Sequence, residues 1–354
     1  MSVSTRAGPG SQPSAVARRT SIDCDDTHLT RASFTRGLVL GLALAPMFAG
    51  AQARAPRVGI LSFGTVPTGA NPDPVEGFGG QVLREFGYVE GQNIVVERRY
   101  ADGRPDRLAA LAAELVQLKV DVILAGGPAP LEAARKATTT IPIVVVGGSD
   151  PIHEGWAKSL ARPGGNVTGL TVSFPELGPK HLELLKQAQP GISRVAVVLE
   201  ILPDDDFMNE LQAGARRLGL QLQVLKISGP GDIDAAFLLA RQHRAEAIYA
   251  IPTNVVVSHR ERLATLAMKD RLSSISGFPM MAQAGFLLSY GADLGDLIRR
   301  SVVYVDKILK GARPGDLAIE RPAKFQLIVN LKTARTLGIT IPQSVLVRAD
   351  EVIQ

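Results

Sequence analysis

An internal repeat of alternating apolar and amphipathic runs is the strongest constraint on how this 354-residue chain folds. RVGILSF at 57–63 is matched by RVAVVLE at 194–200, and DRLAALAAELVQLKVDVILAGG at 106–127 is matched by DIDAAFLLARQHRAEAIYAIPT at 232–253. Near-continuous apolar strands separated by helices predict a parallel sheet covered on both faces. Because whole β-α-β-α-β units recur in the same order, we predict two similar doubly wound lobes. Each would have a crevice at the carboxyl ends of its strands.

The segments after the second repeat indicate that the chain passes between the lobes more than once. Residues 285–311 predict one more strand and helix, and residues 324–338 predict a last strand–helix pair. We therefore predict an α/β protein of two Rossmann-like doubly wound lobes joined by hinge strands, with a ligand bound between them. The predicted boundaries assign to lobe 1 residues 54–170 and 289–320, and to lobe 2 residues 171–288 and 321–354.

Residues 1–53 have the pattern of an N-terminal extension followed by an export signal. Arg31 and Arg36 precede the apolar run 37–50, and the small-residue sequence Ala51-Gln52-Ala53 follows it. An apolar run of about 14 residues is short for a bilayer span. We predict a signal peptide that is cleaved after Ala53, with a retained anchor as the alternative. The choice between Sec and twin-arginine export, and the true start codon, stay open.

Cysteine content and charge exclude several classes of function. The only cysteine, Cys24, lies before the predicted cleavage site, so the exported chain would have no thiol for a disulfide, a nucleophile or a metal. Five of the 39 basic and three of the 34 acidic residues also precede residue 54, which leaves 34 against 31 and removes most of the net charge of +5. Since the chain has no Lys/Arg block of five or more, we expect no nucleic-acid partner.

Sequence motifs of α/β enzymes are missing from the chain. It has no G-x-G-x-x-G after its first strand, no P-loop, no G-x-S-x-G and no H-E-x-x-H. A Ser-His-Asp arrangement that forms only in three dimensions stays open. We predict no enzymatic activity, no metal and no cofactor. Four histidines lack metal-ligand spacing and are interpreted as surface residues: His153, His181, His243 and His259.

Two predicted strand ends carry the best candidate ligand sites. In AGGPAPLEAA (125–134) a strand runs through glycines into a helix, so the helix start at Gly127 and Pro128 would offer free backbone N–H groups to an anion. The alternative is an ordinary βα turn. In IPIVVVGGSDP (141–151), Ser149 and Asp150 would bond a ligand ammonium, or Asp150 would cap a helix whose first residue is Pro151.

Other candidates stand near the ends of further predicted strands. For the loop after the first strand, an ordinary surface turn is the alternative interpretation. For Phe278 the alternative is packing in a core, where a single phenylalanine more often lies. The acidic run Asp204–Asp206 is interpreted as a helix start rather than as a cation site. The candidates are Ser62 and Gly64 after the first strand, Thr171 and Ser173 after the hinge strand, Asn254 after a second-lobe strand, and Phe278 as an apolar wall.

Several of these stretches resemble one protein family. LARPGGNVTG at 160–169 and the block 308–353 are the most specific, and TIPIVVVGGSDP at 140–151 supports them. Over residues 56–354 the chain resembles the substrate-binding proteins of bacterial ABC importers, and in particular the TrpX-type tryptophan/tyrosine-binding group. The resemblance implies a type I periplasmic binding fold without catalysis. It also implies delivery of a small ligand, an amino acid with an aromatic one favoured, to an inner-membrane permease, and we expect a periplasmic monomer.

The sequence departs from the family pattern where the family binds its ligand. Pro128-Ala129 replaces a threonine-proline pair, Ser149 replaces a threonine, and PTN at 252–254 replaces an aspartate-asparagine type of pair. LEILPDDDFMNE at 199–210 replaces an asparagine-proline-rich loop. A nucleobase-like or aromatic-acid ligand therefore stays open beside an amino acid. A periplasmic protein that presents its ligand to a receptor is the alternative function.

Overall fold

The computed structural model describes residues 54–66, 81–148, 150–172, 177–200 and 205–354. The predicted export signal at 1–53 and the candidates Ser149 and Ser173 lie outside the described residues. Over the ranges given above, no helix has both the length and the apolar character needed to cross a bilayer.

The first lobe is built on a five-stranded sheet in which every pairing is parallel. Its strands are β1 (Arg57–Ser62), β2 (Val95–Tyr100), β3 (Val122–Gly126), β4 (Ile143–Gly148) and β5 (Val167–Thr171). They lie in the order β2-β1-β3-β4-β5. β3 and β4 are buried along nearly their whole length, which is why they read as continuous apolar runs. Helices between these strands are α1 (Gln81–Glu85), α2 (Leu108–Gln117) and α3 (Pro128–Ala137).

The second lobe is built on a seven-stranded sheet. Its strands are β6 (Arg194–Leu199), β7 (Gln221–Lys226), β8 (Ala247–Ala250), β9 (Ser273–Ser276), β10 (Leu288–Ala292), β11 (Phe325–Asn330) and β12 (Glu351–Ile353). They lie in the order β12-β11-β10-β9-β8-β6-β7. All the pairings are parallel except the one between β10 and β11.

Nine further helices follow β5 along the described chain. Asp205 and Asp206 stand in the first turn of one of them, which confirms the helix start predicted for the acidic run. Asp204 lies outside the described residues. These helices are α4 (Leu177–Ala188), α5 (Asp205–Arg217), α6 (Ile233–Gln242), α7 (Asn254–Ser258), α8 (Arg260–Lys269), α9 (Pro279–Gln283), α10 (Leu294–Leu309), α11 (Leu331–Leu337) and α12 (Gln343–Leu346).

The chain crosses between the lobes three times. It leaves the first sheet after β5, returns after β10 so that α10 packs on β3, β4 and β5, and crosses back before β11. β10 therefore ends, and β11 begins, on the side of the second sheet that faces the crossing, where Ala292 pairs with Phe325. This explains why these two strands are antiparallel and why the second sheet is mixed instead of fully parallel.

The two lobes and their crossings confirm the predicted fold class. Two predicted boundaries need correction. Residue 171, assigned to lobe 2, is the last residue of β5 and pairs in the first sheet. Residue 289, assigned to lobe 1, falls within β10, and that strand pairs in the second sheet. The pairing moves the return to the first lobe to residue 293, just before α10. The other lobe boundaries stay predictions.

Candidate ligand site between the lobes

Parallel strands end together along one edge of each sheet, and the candidates follow those strand ends. In the first sheet the register pairs Ser62 with Gly126, Gly126 with Val146, and Gly148 with Thr171. The loops at the ends of these strands are called the first-lobe edge. This edge carries Ser62, Gly64, Gly127, Pro128 and Asp150. In the second sheet Ala250 pairs with both Val198 and Ser276. We call second-lobe edge the residues that follow there: Glu200, Thr253, Asn254 and His259.

The two edges meet at Gly127 and Asn254. A β-carbon on Gly127 would lie 2.7 Å from Asn254 Oδ1, closer than real β-carbons come to such an atom. A second approach joins Gly103 to His259, whose Nε2 lies 3.8 Å from the position of a β-carbon on Gly103. One cluster of buried apolar side chains also continues from Phe63 of the first lobe to residues of the second lobe such as Val256. The structure therefore brings candidates from both sheets together.

The loop into α3 requires glycine for its backbone conformation. Gly127 has φ +93° and ψ −178°, and its N–H donates to Val146 O at 3.0 Å. Among the described residues, no side chain caps this helix. Because Pro128 and Pro130 have no N–H, Ala129 is the only one of the first three helical residues that carries a donor. The predicted anion site thus consists of one backbone N–H and the positive end of the helix dipole.

Asp150 is bonded within its own loop. Its Oδ1 accepts from the backbone N–H groups of Ile152 and His153 at 2.8 and 2.9 Å. The side chain thus caps the following segment, but residues 151–155 form turns instead of the predicted helix. Gly155 adopts φ +68°, a left-handed conformation that ends the turn after one winding. The contact of Asp150 with a ligand ammonium stays a prediction.

Ser62, Gly64 and Thr171 make bonds that hold the first-lobe strands in place. Ser62 Oγ accepts from the Gly64 N–H at 3.2 Å, and Gly64 O accepts from the Asp102 N–H at 2.9 Å. Thr171 is 1% exposed and its Oγ1 donates to Gly148 O at 2.9 Å, so its hydroxyl proton is used between β5 and β4. Contact of these residues with a ligand stays a prediction.

The second-lobe edge carries polar side chains that the sequence analysis did not single out. Glu200 Oε2 accepts from the Val255 N–H at 3.1 Å. Two buried atoms, Thr253 Oγ1 and His259 Nε2, make no hydrogen bond to any described residue. Each unsatisfied polar atom of this kind costs about 1–3 kcal/mol, which a polar ligand would recover. The sequence did contain a signal for two of these residues. Glu200 and Thr253 follow the ends of β6 and β8, just as the predicted candidates follow the ends of other strands.

Two of the four histidines are not the surface residues that we predicted. His259 is half buried at the contact with Gly103, and its pKa is lowered, first by burial and then by the charge of Arg262. His181 on α4 is buried inside the second lobe. The prediction is wrong for both because each side chain lies between packed elements. His153 and His243 are exposed, as predicted.

A hydrogen-bond network determines which ring nitrogen of His181 carries the proton. Its Nδ1 lies 2.9 Å from Tyr249 Oη and its Nε2 lies 2.5 Å from Tyr290 O. Since a carbonyl oxygen only accepts, Nε2 carries the proton and the Tyr249 hydroxyl donates to Nδ1. Burial lowers the pKa of His181 to about 4, against the opposing effect of its hydrogen bond to Tyr290. The imidazole is therefore a neutral structural element of the second lobe.

Phe278 reaches from the second lobe to the first. It precedes α9, is half buried, and packs against an apolar cluster that contains Val146 and Leu170 of the first sheet and Leu297 of α10. An aromatic ring at this position lies where the lobes join. Its predicted role as a wall of the ligand site stays a prediction.

Comparison with known proteins extends this description. Residues 70–353 match the model of a family described as ABC transporter substrate binding protein. A tyrosine-binding protein of Clostridioides difficile (strain R20291) is 25% identical over 261 residues, which is 73% of this chain and 75% of that protein.

Solved structures share the fold. A conserved domain protein of Vibrio cholerae O1 biovar El Tor superposes with a TM-score of 0.75 at 27% identity, over 84% of this chain and 100% of that chain. The ABC domain from Streptococcus pneumoniae in complex with L-Trp superposes with a TM-score of 0.75 at 24% identity, over 84% of this chain and 99% of that chain. The two lobes form a type I periplasmic binding fold. Because the family model covers most of its length, the chain belongs to the ABC transporter substrate binding protein family.

Proposed function

We propose that the protein is the solute receptor of an ABC importer. It binds a small ligand, an amino acid with an aromatic one favoured, between its lobes and delivers it to a permease in the inner membrane. It works in the periplasm as a monomer, after the export signal has been cleaved behind Ala53. Membership of the family and the 25% identity to a tyrosine-binding protein support this proposal.

The observation that carries the proposal is the approach of Asn254 to Gly127. These residues belong to different lobes, and both follow strands that end at the facing edges. Ligands of two-lobed α/β proteins bind in crevices of this type, beyond the carboxyl ends of the strands. A small molecule held there would touch both lobes at once and would bias the hinge.

The chemistry of the two edges suits a zwitterion. The start of α3 offers the Ala129 N–H and the positive end of a helix dipole to a carboxylate. The second-lobe edge offers oxygen acceptors of Glu200 and Asn254 to a donor group. Phe278 supplies apolar surface near the crossing, which favours a ligand with an apolar or aromatic side chain.

The mechanism is a shift in the population of closed molecules. A ligand moves the equilibrium only if it binds the closed form more tightly than the open one. Contacts with both edges meet this condition, because they exist together only when the lobes are closed. The closed form would then present both lobes to the permease.

Thermal unfolding of residues 54–354 with a panel of amino acids, aromatic acids and nucleobases tests the ligand class. A ligand at about a hundred times its dissociation constant adds roughly 2.7 kcal/mol, which for a chain of this size raises the midpoint by about 5 °C. A rise with tyrosine, tryptophan or phenylalanine supports the proposal. A rise only with ligands that lack an ammonium group contradicts the amino-acid assignment. Ligand-stimulated ATPase activity of the reconstituted permease would separate import from presentation to a receptor.

A further inference from the structure

We infer that Glu200 is the residue that recognises a cationic group of the ligand, so that the ligand is an α-amino acid bound through its ammonium. This inference rests on the proposed function and names the second-lobe partner of the ligand. Glu200 follows β6 directly and is half buried. Its position at the second-lobe edge follows from the pairing of β6 with β8, in which Val198 lies opposite Ala250.

A hydrogen bond fixes the carboxylate beside the contact between the lobes. Glu200 Oε2 accepts from the N–H of Val255 at 3.1 Å, in the first turn of α7. The preceding residue, Asn254, is the one whose Oδ1 approaches Gly127 of the first lobe. The residue that donates to Glu200 is thus the next one along α7 after the residue at the contact between the lobes.

The negative charge of Glu200 has no cationic partner among the described residues. It takes part in no ion pair there, and its Oε1 accepts no hydrogen bond from a described group. The next four residues in the sequence, 201–204, contain no lysine or arginine. A partly buried charge is favourable only when an opposite charge or donors accompany it. An ammonium group of the ligand would supply both.

A second group without a described partner stands at the start of α7. Thr253 Oγ1, two residues before Val255, is buried and bonds to no described residue. A threonine hydroxyl accepts as readily as it donates. An ammonium has three N–H donors, so Glu200 and Thr253 together would satisfy two of them, and Asn254 Oδ1, at the contact with Gly127, would accept from the third.

The alternative role of Glu200 is to cap α7 and nothing more. Glu200→Gln separates the two roles, because the glutamine carbonyl still accepts from the Val255 N–H while the charge is removed. Glu210→Gln is the matched control, since Glu210 is an exposed carboxylate on α5 of the same lobe. Midpoints of thermal unfolding check that both variants fold.

Isothermal titration of the purified protein, stripped of co-purified ligand, uses three pairs of probes. Each pair is an amino acid and its analogue without the amino group: L-tyrosine and 3-(4-hydroxyphenyl)propionate, L-tryptophan and indole-3-propionate, L-leucine and 4-methylpentanoate. For the best-bound amino acid we expect Glu200→Gln to weaken binding by roughly 10- to 100-fold, the range of a charge-assisted hydrogen bond. Binding of its analogue should be unchanged or tighter, and Glu210→Gln should alter neither.

The outcomes separate this inference from the proposed function. Suppose that the wild type binds an amino acid. If Glu200→Gln binds that amino acid equally well, or loses affinity for the amino acid and for its analogue by the same factor, the role of Glu200 is wrong and the proposed function stands. If the wild type binds analogues without an amino group but no amino acid, both are wrong. Selective loss of the amino acid supports both.

Discussion

The two lobes share a scaffold but present different chemistry to each other. The first-lobe edge is largely backbone, with a glycine at φ +93° before an uncapped helix and with Ser62 and Asp150 bonded inside their own loops. The second-lobe edge is made of side chains, among them the carboxylate of Glu200 and two atoms that bond to no described residue, Thr253 Oγ1 and His259 Nε2. The repeated sequence therefore produces corresponding strands in the two lobes but loops of different chemistry.

This difference assigns distinct tasks to the lobes. A backbone edge offers N–H groups and a helix dipole, which attract negative charge and tolerate substitution poorly because the chain path itself forms the site. A side-chain edge offers acceptors that single substitutions can change without altering the fold. We expect substitutions in the first lobe to act through geometry and substitutions in the second lobe to act through charge and hydrogen bonding.

The largest expected effect concerns His181, and it tests whether polar side chains matter inside the second lobe as well as at its edge. The pKa of His181 is lowered from 6.5 to about 4, so the unfolded chain takes up a proton before the folded one does. The contribution to stability is complete above pH 6.5 and is lost as the pH falls to 4. The lowered pKa corresponds to about 3 kcal/mol. Denaturant unfolding at several pH values should show this loss in the wild type.

A variant without the titrating group sharpens this test. His181→Gln should be less stable at neutral pH but should lose less stability between pH 6.5 and 4 than the wild type. His153→Gln, at an exposed site, should keep the wild-type slope. Parallel pH profiles for the wild type and His181→Gln would show that His181 does not govern the acid sensitivity.

The next largest effect concerns the backbone of the first-lobe edge. Gly127→Ala places a β-carbon at φ +93° and 2.7 Å from Asn254 Oδ1. The strained backbone costs about 1–3 kcal/mol of stability, and the clash opposes closure, so we expect the ligand to bind on the order of 10-fold more weakly. Unfolding and titration with the amino acid that binds best measure the two effects.

A second glycine provides the control for backbone strain. Gly91 has φ +80°, and a β-carbon there would meet no atom of a described residue within 4 Å. Gly91→Ala should therefore lose a similar amount of stability and keep its ligand affinity. Equal affinities for Gly127→Ala and the wild type would mean that the lobes bind ligand without the contact between Gly127 and Asn254.

Much of the fold could be predicted because the repeat carries it. The apolar runs at 57–63 and 194–200 became β1 and β6, and both repeats of the following unit gave a helix and a buried strand. The antiparallel direction of β11 could not be predicted from its residues, because the direction of a strand in a sheet depends on the side from which the chain enters it. The boundary at residue 289 was wrong for the same reason, since β10 reads equally well as a strand of either lobe.

The candidate site was less accessible to sequence because it depends on side chains that loops orient. Gly127 and Asn254 were predicted separately, but nothing in the sequence indicates that they meet across the lobes. The burial of His181 did leave a signal: His181, Leu184, Leu185 and Ala188 recur at helical spacing on one buried face of α4. A lone polar residue on an apolar face is an indication of an internal hydrogen bond.

The smallest expected effect tests whether the second-lobe edge selects its ligand through hydrogen bonds. Thr253→Val removes a buried hydroxyl that no described residue satisfies, so the ligand-free protein should gain up to about 1 kcal/mol or stay unchanged. If that hydroxyl bonds the ligand, the affinity should fall by about 5-fold. Opposite signs for stability and affinity are the mark of a group held ready for a ligand. Thr265→Val, at an exposed position on α8, should change neither quantity, whereas a Thr253→Val variant with unaltered affinity would leave selection to the charge of Glu200 alone.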